Sequence, residues 1–213
     1  MTIEEIKKEA LRMMLAVGRE IDGVPISSLE GSAASGRYLA AMTGAIGRCL
    51  ADLERRHALK PILWEVETDA WVHTAALSRL PLSSREDLYA VLSVSLESAE
   101  GGYVGDQAFS VEGEELVLPR LSGGACVRVI YAPRAPRVER HDNALELSCL
   151  HETVAALIPY FIKGELFREE DPAEAGEARN FYESGVEDYL ARTAVGGVLG
   201  GGRVHTVYSQ VAL

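Results

Sequence analysis

The sequence predicts an α+β fold: a discontinuous helical bundle, an inserted small antiparallel β domain and an extended C-terminal tail. Apolar residues recur at helical spacing near both ends of the chain, which predicts two N-terminal and two C-terminal helices. Between them the periodicity fades, while β-branched residues and glycine turns become frequent. The predicted domains are a helical bundle from residues 1–61 and 145–193, a β domain at 62–144, and a glycine-rich tether with a tail at 194–213.

The first two helices are indicated by a capping signal and by apolar faces. Thr2 and Glu5 have the spacing of a capping box, in which each side chain accepts a hydrogen bond from the other residue's backbone. A second helix is predicted from about residue 35 to 59, where Lys60-Pro61 ends it. Its small residues form a stripe that indicates either a close approach by another backbone or tolerated sequence drift. These residues are Gly36, Ala40, Gly44 and Gly47.

The middle of the chain carries several candidate strands. They are rich in β-branched residues and are separated by paired glycines and other turn signals. The candidates are Leu63–Glu67, Leu88–Ser95, Glu115–Leu118 and Ala125–Tyr131. Pro133 and Pro136 end the last of them, since proline cannot donate to a strand ladder. We therefore expect a small antiparallel β domain in this region.

Two helices are predicted again after about residue 148. Pro159 lies inside the first and should kink or locally break it, because proline lacks a backbone N–H. The second should begin at Asp171, a good N-cap, with Pro172 at the first helical position. Glu174 is predicted to complete a capping box with Asp171.

Charge and cysteine content argue against several classes of protein. The 213 residues include 32 acids against 21 Lys and Arg, a net charge of −11, which argues against a free-standing nucleic-acid binder. The three cysteines form no CxxC pair, so neither a zinc site nor a disulfide framework is indicated. The N-terminus lacks the apolar core of a signal peptide, and no apolar run approaches the length of a membrane span. We expect a protein made in the cytoplasm, without a membrane partner.

The sequence offers little catalytic chemistry. Phosphate-loop, dinucleotide-binding, metalloprotease and nucleophile-elbow motifs are all missing. An acidic cluster surrounds the last helix–helix turn; its members are Glu165, Glu169, Glu170, Asp171, Glu174 and Glu177. The cluster fits a solvated face better than a hard-cation site, since EF-hand spacing is missing, and a surface that repels DNA inside a channel is a further alternative. We predict no catalytic residue, no cofactor and no metal.

Two oppositely charged regions would suit contacts between copies of the chain. The basic region is Arg128, Arg134, Arg137 and Arg140, and the acidic region is Glu169, Glu170, Glu174 and Glu177. Head-to-tail contacts in a ring require two complementary patches, which these regions would supply. An ordinary charged surface is an equally good interpretation.

The C-terminal end combines a tether with a β-prone segment. Glycines dominate residues 196–202, and such a run behaves as a flexible linker. The segment that follows, 203–213, suits the addition of a strand to a neighbouring sheet. A frayed terminus is the competing interpretation.

The last third of the chain carries a pattern that points to a family. Leu157–Phe167 contains an internal proline, Arg168–Ala175 is a polar acidic turn, and Ala178–Glu183 is rich in Ala, Arg and Tyr. Val127–Tyr131, with two prolines after it, is similar to a last β strand and its exit. Together with the order of elements, this pattern resembles the head-to-tail adaptor (connector or neck) proteins of tailed bacteriophages.

That resemblance implies a structural role in the virion, without catalysis. About twelve copies would form a ring under the portal protein, extend the DNA channel and present a platform for the tail or for further neck proteins. Double-stranded DNA would pass through the lumen without sequence-specific binding. The C-terminal tail would dock on the portal, through Arg203, Val204, His205, Val207, Tyr208, Val211 and Leu213.

Two other functions stay open on the sequence. A phage tail-completion or tail-terminator protein is the first alternative, although such proteins tend to be shorter α+β chains without paired C-terminal helices. A small enzyme with an unrecognised site is the second. That enzyme would need a concave pocket with converging titratable groups.

Overall fold

A computed structural model describes residues 1–15, 35–97, 103–121, 126–140 and 142–195, together with Val24, Ser28 and Leu29. Within these residues the fold is mixed α+β, with helices toward both ends of the chain and two antiparallel sheets between them, so the predicted fold class is confirmed. The chain divides into two compact units. The helical unit comprises residues 1–60 and 135–192, and the β unit comprises residues 61–134 and 193–213, of which 196–213 lie outside the described residues.

The helical unit contains two N-terminal helices and three C-terminal ones among the described residues. They are α1 (Ile3–Leu15), α2 (Gly36–Arg55), α3 (Glu152–Ala155), α4 (Ile158–Leu166) and α5 (Pro172–Val195). In these helices the apolar residues recur at three- and four-residue spacing and lie on the side that packs into the core, as in amphipathic helices. The largest fully buried apolar side chains are Ile3, Ile6, Leu11, Met42, Ile46, Leu50, Leu53, Leu59 and Tyr182.

The capping box at the start of α1 is confirmed. The Glu5 N–H donates to Thr2 Oγ1 at 3.2 Å, and the Thr2 N–H donates to Glu5 Oε2 at 2.7 Å. These bonds satisfy two backbone donors that a helix N-terminus otherwise leaves to solvent. The Thr2 hydrogen bonds also hold the pKa of the Glu5 carboxyl below its ordinary value.

The end of α2 is closed by a residue with a left-handed backbone. His57 has φ +56°, and its N–H donates to Glu54 O at 3.0 Å while the Ala58 N–H donates to Leu53 O at 2.9 Å. These two bonds define a Schellman motif, which usually has glycine at the left-handed position. The helix therefore ends at Arg55, before the predicted end near residue 59.

Pro159 breaks the first C-terminal helix, as predicted. α3 ends at Ala155, and α4 starts afresh at Ile158 with Pro159 in its first turn, where a missing N–H costs nothing. Two short helices therefore stand where the apolar spacing alone would predict one.

The N-cap of α5 is confirmed, but the reciprocal half of its capping box is wrong. The Glu174 N–H donates to Asp171 Oδ1 at 3.0 Å. The Glu174 carboxylate instead accepts from Lys163 Nζ at 2.6 Å, and the Asp171 N–H donates to Phe167 O at 2.8 Å. A lysine on the preceding helix competes successfully because a charged donor binds a carboxylate more strongly than a neutral amide does.

The first sheet of the β unit contains β1 (Ile62–Glu67), β4 (Leu88–Glu97), β5 (Tyr103–Asp106) and β8 (Cys126–Pro133), in the order β1-β8-β4-β5. The second contains β2 (Val72–His73), β3 (Leu77–Pro81), β6 (Ser110–Glu112) and β7 (Glu115–Pro119), in the order β2-β3-β7-β6. β1, β4, β7 and β8 confirm the predicted strands with small shifts at their ends. The other strands were not predicted, because they are short or carry too few β-branched residues.

A two-residue turn joins β6 to β7. Glu112 pairs with Glu115, and Gly113 between them has φ +64°, which glycine adopts without strain. The buried core of this unit draws on both sheets and consists of Val66, Trp71, Leu80, Leu82, Val94, Leu116, Leu118, Leu121, Val127 and Val129.

The segment after β8 belongs to the helical unit rather than to the β domain predicted at 62–144. The Ile3 N–H donates to Leu145 O at 3.0 Å, and the Glu4 N–H donates to Asn143 O at 2.9 Å. The buried Lys7 ammonium donates to Asn143 Oδ1 at 2.7 Å. These bonds anchor the segment on α1, so the observed boundary falls after Arg134 instead of residue 144.

Candidate functional site

The basic residues predicted to contact a neighbouring copy are split between the two units. In the β unit, Arg128 pairs with Glu65 across β8 and β1 at 2.9 Å, and Arg134 Nε donates to Leu88 O at 3.1 Å. Arg137 and Arg140 belong to the helical unit and are exposed. Each unit therefore contains two of the four predicted arginines, and the pair in the β unit is engaged within its own chain.

The acidic residues of the predicted patch all belong to the helical unit, and two of the four are engaged within their own chain. Glu170 accepts from Arg37, with 3.1 Å between Nη2 and Oε1, and from the Tyr38 hydroxyl at 2.5 Å. The second bond raises the pKa of the Tyr38 phenol. Glu174 pairs with Lys163, as described above, while Glu169 and Glu177 are exposed and have no partner in the described part of the chain.

The predicted portal-docking residues lie outside the described residues, which end at Val195. They are Arg203, Val204, His205, Val207, Tyr208, Val211 and Leu213. Their docking role stays a prediction.

A buried polar network joins α2 to α5 and was not predicted from the sequence. The Tyr182 hydroxyl donates to Asp52 Oδ2 at 2.9 Å, and Arg55 and Arg56 each approach the same carboxylate at 3.0 Å. Arg56 also pairs with Glu183 on α5. Burial raises the pKa of the Tyr182 phenol, so this side chain stays neutral and donates its proton. The signal in the sequence is an aspartate on the apolar face of α2.

Cys49 lies beside this network without being reactive. Its side chain is fully buried, and burial raises the pKa of the thiol to about 12. A thiol with so high a pKa carries almost no thiolate at neutral pH and is a poor nucleophile. Cys49 therefore serves packing between the helices.

The helical unit carries a groove that contains three arginines, and we call it the arginine groove. Its volume is about 690 Å³, and its lining includes Arg48, Gly164, Glu165, Arg168, Gly176 and Arg179. A Cβ added at Gly164 would lie 3.3 Å from Ala175 O, so α4 and α5 approach closely at this lining residue.

Two of the three arginines in the groove are held in fixed positions. Arg48 binds Glu165 through Nε at 2.9 Å and Nη2 at 2.6 Å, a pairing that raises the pKa of the Arg48 guanidinium. Arg179 Nε donates to Glu183 Oε1 at 2.8 Å, and its guanidinium lies 4.7 Å from the centre of the Phe161 ring. Arg168 is exposed and has no hydrogen-bond or ion-pair partner among the residues that the structure describes.

The β unit has a smaller concavity of about 360 Å³. Arg85, Tyr89, Val111, Glu114 and Arg134 are among its lining residues. Large apolar side chains that are exposed in the described structure occur mainly in this unit; they are Leu63, Val72, Leu77, Tyr89 and Val111, with Phe181 in the helical unit.

Across the described ranges, no group of three or more His, Cys, Asp and Glu side chains could hold a metal ion. None of the described helices combines the length and the apolar character needed to cross a bilayer.

The sequence was compared with known proteins. No protein-family model matches it, and no curated protein shows significant similarity to it.

Proposed function

We propose that this chain is a structural protein of a tailed-bacteriophage virion that forms a ring between the portal and the tail. The ring would extend the DNA channel and provide the platform on which the tail attaches. The observation that carries the proposal is the order of elements. Two helices precede an inserted β unit, and a proline-broken helix, an acidic turn and a long helix follow it, as in the adaptors that the sequence resembles.

Unpaired surface charges in the helical unit support contacts between copies. Arg137 and Arg140 have no ion-pair partner in the described part of the chain, and the same holds for Glu169 and Glu177. These four residues belong to the two regions of opposite sign that the sequence predicts as complementary patches. A ring with head-to-tail contacts needs such a pair of different surfaces on every copy.

The first test is the mass of the purified full-length protein by light scattering, with negative-stain images of the same sample. A ring of about twelve copies with a central hole that admits duplex DNA supports the proposal. A compact dimer without a hole contradicts it. A monomer is tested further by mixing it with tailless capsids that carry portal, because a partner can order the subunits of a ring; failure to attach then also contradicts the proposal.

The portal-docking role of the tail has its own test. A chain truncated before Gly196 keeps every described element and should fold as the full chain does. We expect it to lose attachment to portal-bearing capsids, measured by co-sedimentation, while its circular dichroism spectrum stays unchanged. Normal attachment by the truncated chain would refute docking through the residues after Val195.

A further inference from the structure

The arginine groove has hydrogen-bond donors that the described part of the chain does not use. Arg168 has no partner there, so its whole guanidinium is available. Arg179 uses only Nε, in its bond to Glu183, and its two terminal nitrogens have no acceptor among the described residues. A guanidinium presents its N–H groups in a rigid planar fork that matches the two oxygens of a carboxylate.

The fixed positions of the neighbouring side chains favour binding. The Arg179 guanidinium is held on the Phe161 ring at 4.7 Å and near the Tyr182 ring at 5.6 Å, so little conformational freedom remains to be lost. Arg48, the third arginine of the groove, is held by Glu165. Gly176 also lines the groove, and a Cβ added there would meet no atom within 4 Å.

Most acidic side chains that are close in sequence to the groove residues already have ion-pair partners. Glu165 binds Arg48, Glu170 binds Arg37, Glu174 binds Lys163, and Glu183 is shared by Arg56 and Arg179. Their carboxylates therefore leave the free donors of Arg168 and Arg179 unoccupied. Glu169 and Glu177 lie close in sequence to the groove residues without being part of its lining.

We propose that the arginine groove binds a carboxylate side chain presented by an acidic segment of a partner protein. Arg168 and Arg179 both line the groove and both have unused donors, so a carboxylate that enters the groove meets guanidinium N–H groups without an acceptor of their own. A rigid DNA duplex would also bring phosphates toward the unpaired Glu169 and Glu177, which disfavours DNA, whereas a flexible acidic peptide can present one carboxylate to the groove. Binding at the groove does not depend on whether the chain builds a ring.

The test uses the full-length protein and a fluorescein-labelled hexaglutamate peptide, with hexaglutamine as the neutral control. Binding is measured by fluorescence anisotropy at about 50 mM salt, where exposed charges are weakly screened. The variant Arg168→Glu reverses a charge in the groove, and Arg192→Glu makes the same change at an exposed residue of the helical unit that lies outside the groove and outside the predicted contact patches. Thermal unfolding by circular dichroism confirms that both variants fold.

We expect hexaglutamate to bind and hexaglutamine not to bind, with Arg168→Glu weakening the affinity at least about tenfold and Arg192→Glu by less than about twofold. Equal losses in the two variants would mean general charge attraction and would overturn the proposal, as would a lack of binding. Displacement of the peptide by duplex DNA or inorganic tripolyphosphate at lower concentration than by free hexaglutamate would make the groove a phosphate site instead. Light scattering on the same samples reports ring formation separately, so either proposal can fail alone.

Discussion

Replacing Gly185 by alanine should destabilise the helical unit, whereas the same replacement at Gly176 should stabilise it. Both glycines lie within α5, where alanine is favoured over glycine by about 1 kcal/mol. A Cβ at Gly176 would meet no atom within 4 Å. A Cβ at Gly185 would lie 2.7 and 2.8 Å from the two Cδ atoms of Leu157 and 3.3 Å from its Cγ.

Alanine at position 185 should not raise the free energy of unfolding, because the Leu157 side chain has little room to move. The side chain of Leu157 is only 7% exposed, and rotation about its last bond exchanges one methyl for the other without relieving the overlap. Overpacking of this kind costs about 1–3 kcal/mol, which offsets or exceeds the helix-propensity gain. The two variants should therefore differ in free energy of unfolding by about 1–3 kcal/mol, with Gly176→Ala the more stable.

Urea unfolding followed by circular dichroism measures this difference, since the midpoint and slope give the free energy of unfolding in water. A second background isolates the cause. In a Leu157→Ala chain the overlap is gone, so Gly185→Ala should become stabilising by about 1 kcal/mol, a coupling that a double-mutant cycle detects. The reasoning is refuted if Gly185→Ala matches Gly176→Ala in the wild-type background, or if truncating Leu157 leaves its effect unchanged.

Substitutions at three further sites test other described features by the same urea assay. His57→Gly should raise stability by about 1 kcal/mol, because glycine adopts the left-handed backbone without strain; a loss would contradict the Schellman end of α2. Burial also lowers the pKa of His57, so as the pH falls the unfolded chain takes up this proton before the folded chain does. The free energy of unfolding should therefore fall as the pH drops below about 6.5, and it should fall less in His57→Gly. Tyr182→Phe should cost about 1 kcal/mol by removing the bond to Asp52, and an unchanged midpoint would show that this bond contributes nothing. Thr2→Ala should cost about 1 kcal/mol by opening the capping box with Glu5, whereas Thr2→Ser should be nearly neutral; equal losses would rule out capping.

Local signals in the sequence predicted the helices well because their causes are local. A capping box, an N-cap and a proline act on their immediate neighbours, and Thr2, Asp171 and Pro159 all perform as their chemistry requires. The small-residue stripe on α2 left a close backbone approach and tolerated sequence drift open, and the structure favours drift at Gly47. A Cβ at Gly47 would meet nothing within 4 Å, and the close approaches occur at Gly164 and Gly185. Periodicity identifies a buried face but does not identify what packs against it.

The features that the sequence did not predict depend on contacts between residues that are distant in sequence. Asp52 and Tyr182 are 130 positions apart, and the sequence around one residue does not predict contact with the other. The predicted contact residues show the same limit, because Arg128 is engaged by Glu65 and Glu174 by Lys163 within one chain. The arginine groove was likewise invisible, since its lining joins α2 to the turn before α5.

The construction of the helical unit from both ends of the chain constrains the order of folding during synthesis. α1 and α2 leave the ribosome first, but their hydrogen-bond and packing partners lie after residue 134. At roughly 5–20 residues per second, the apolar faces of these helices wait on the order of ten seconds for α4 and α5. All described strands of the β unit lie between residues 62 and 133, so its sheets can form within that interval. The nascent chain therefore has a folded β unit while the apolar faces of α1 and α2 are still exposed. Chaperones and premature association compete for the chain at this stage.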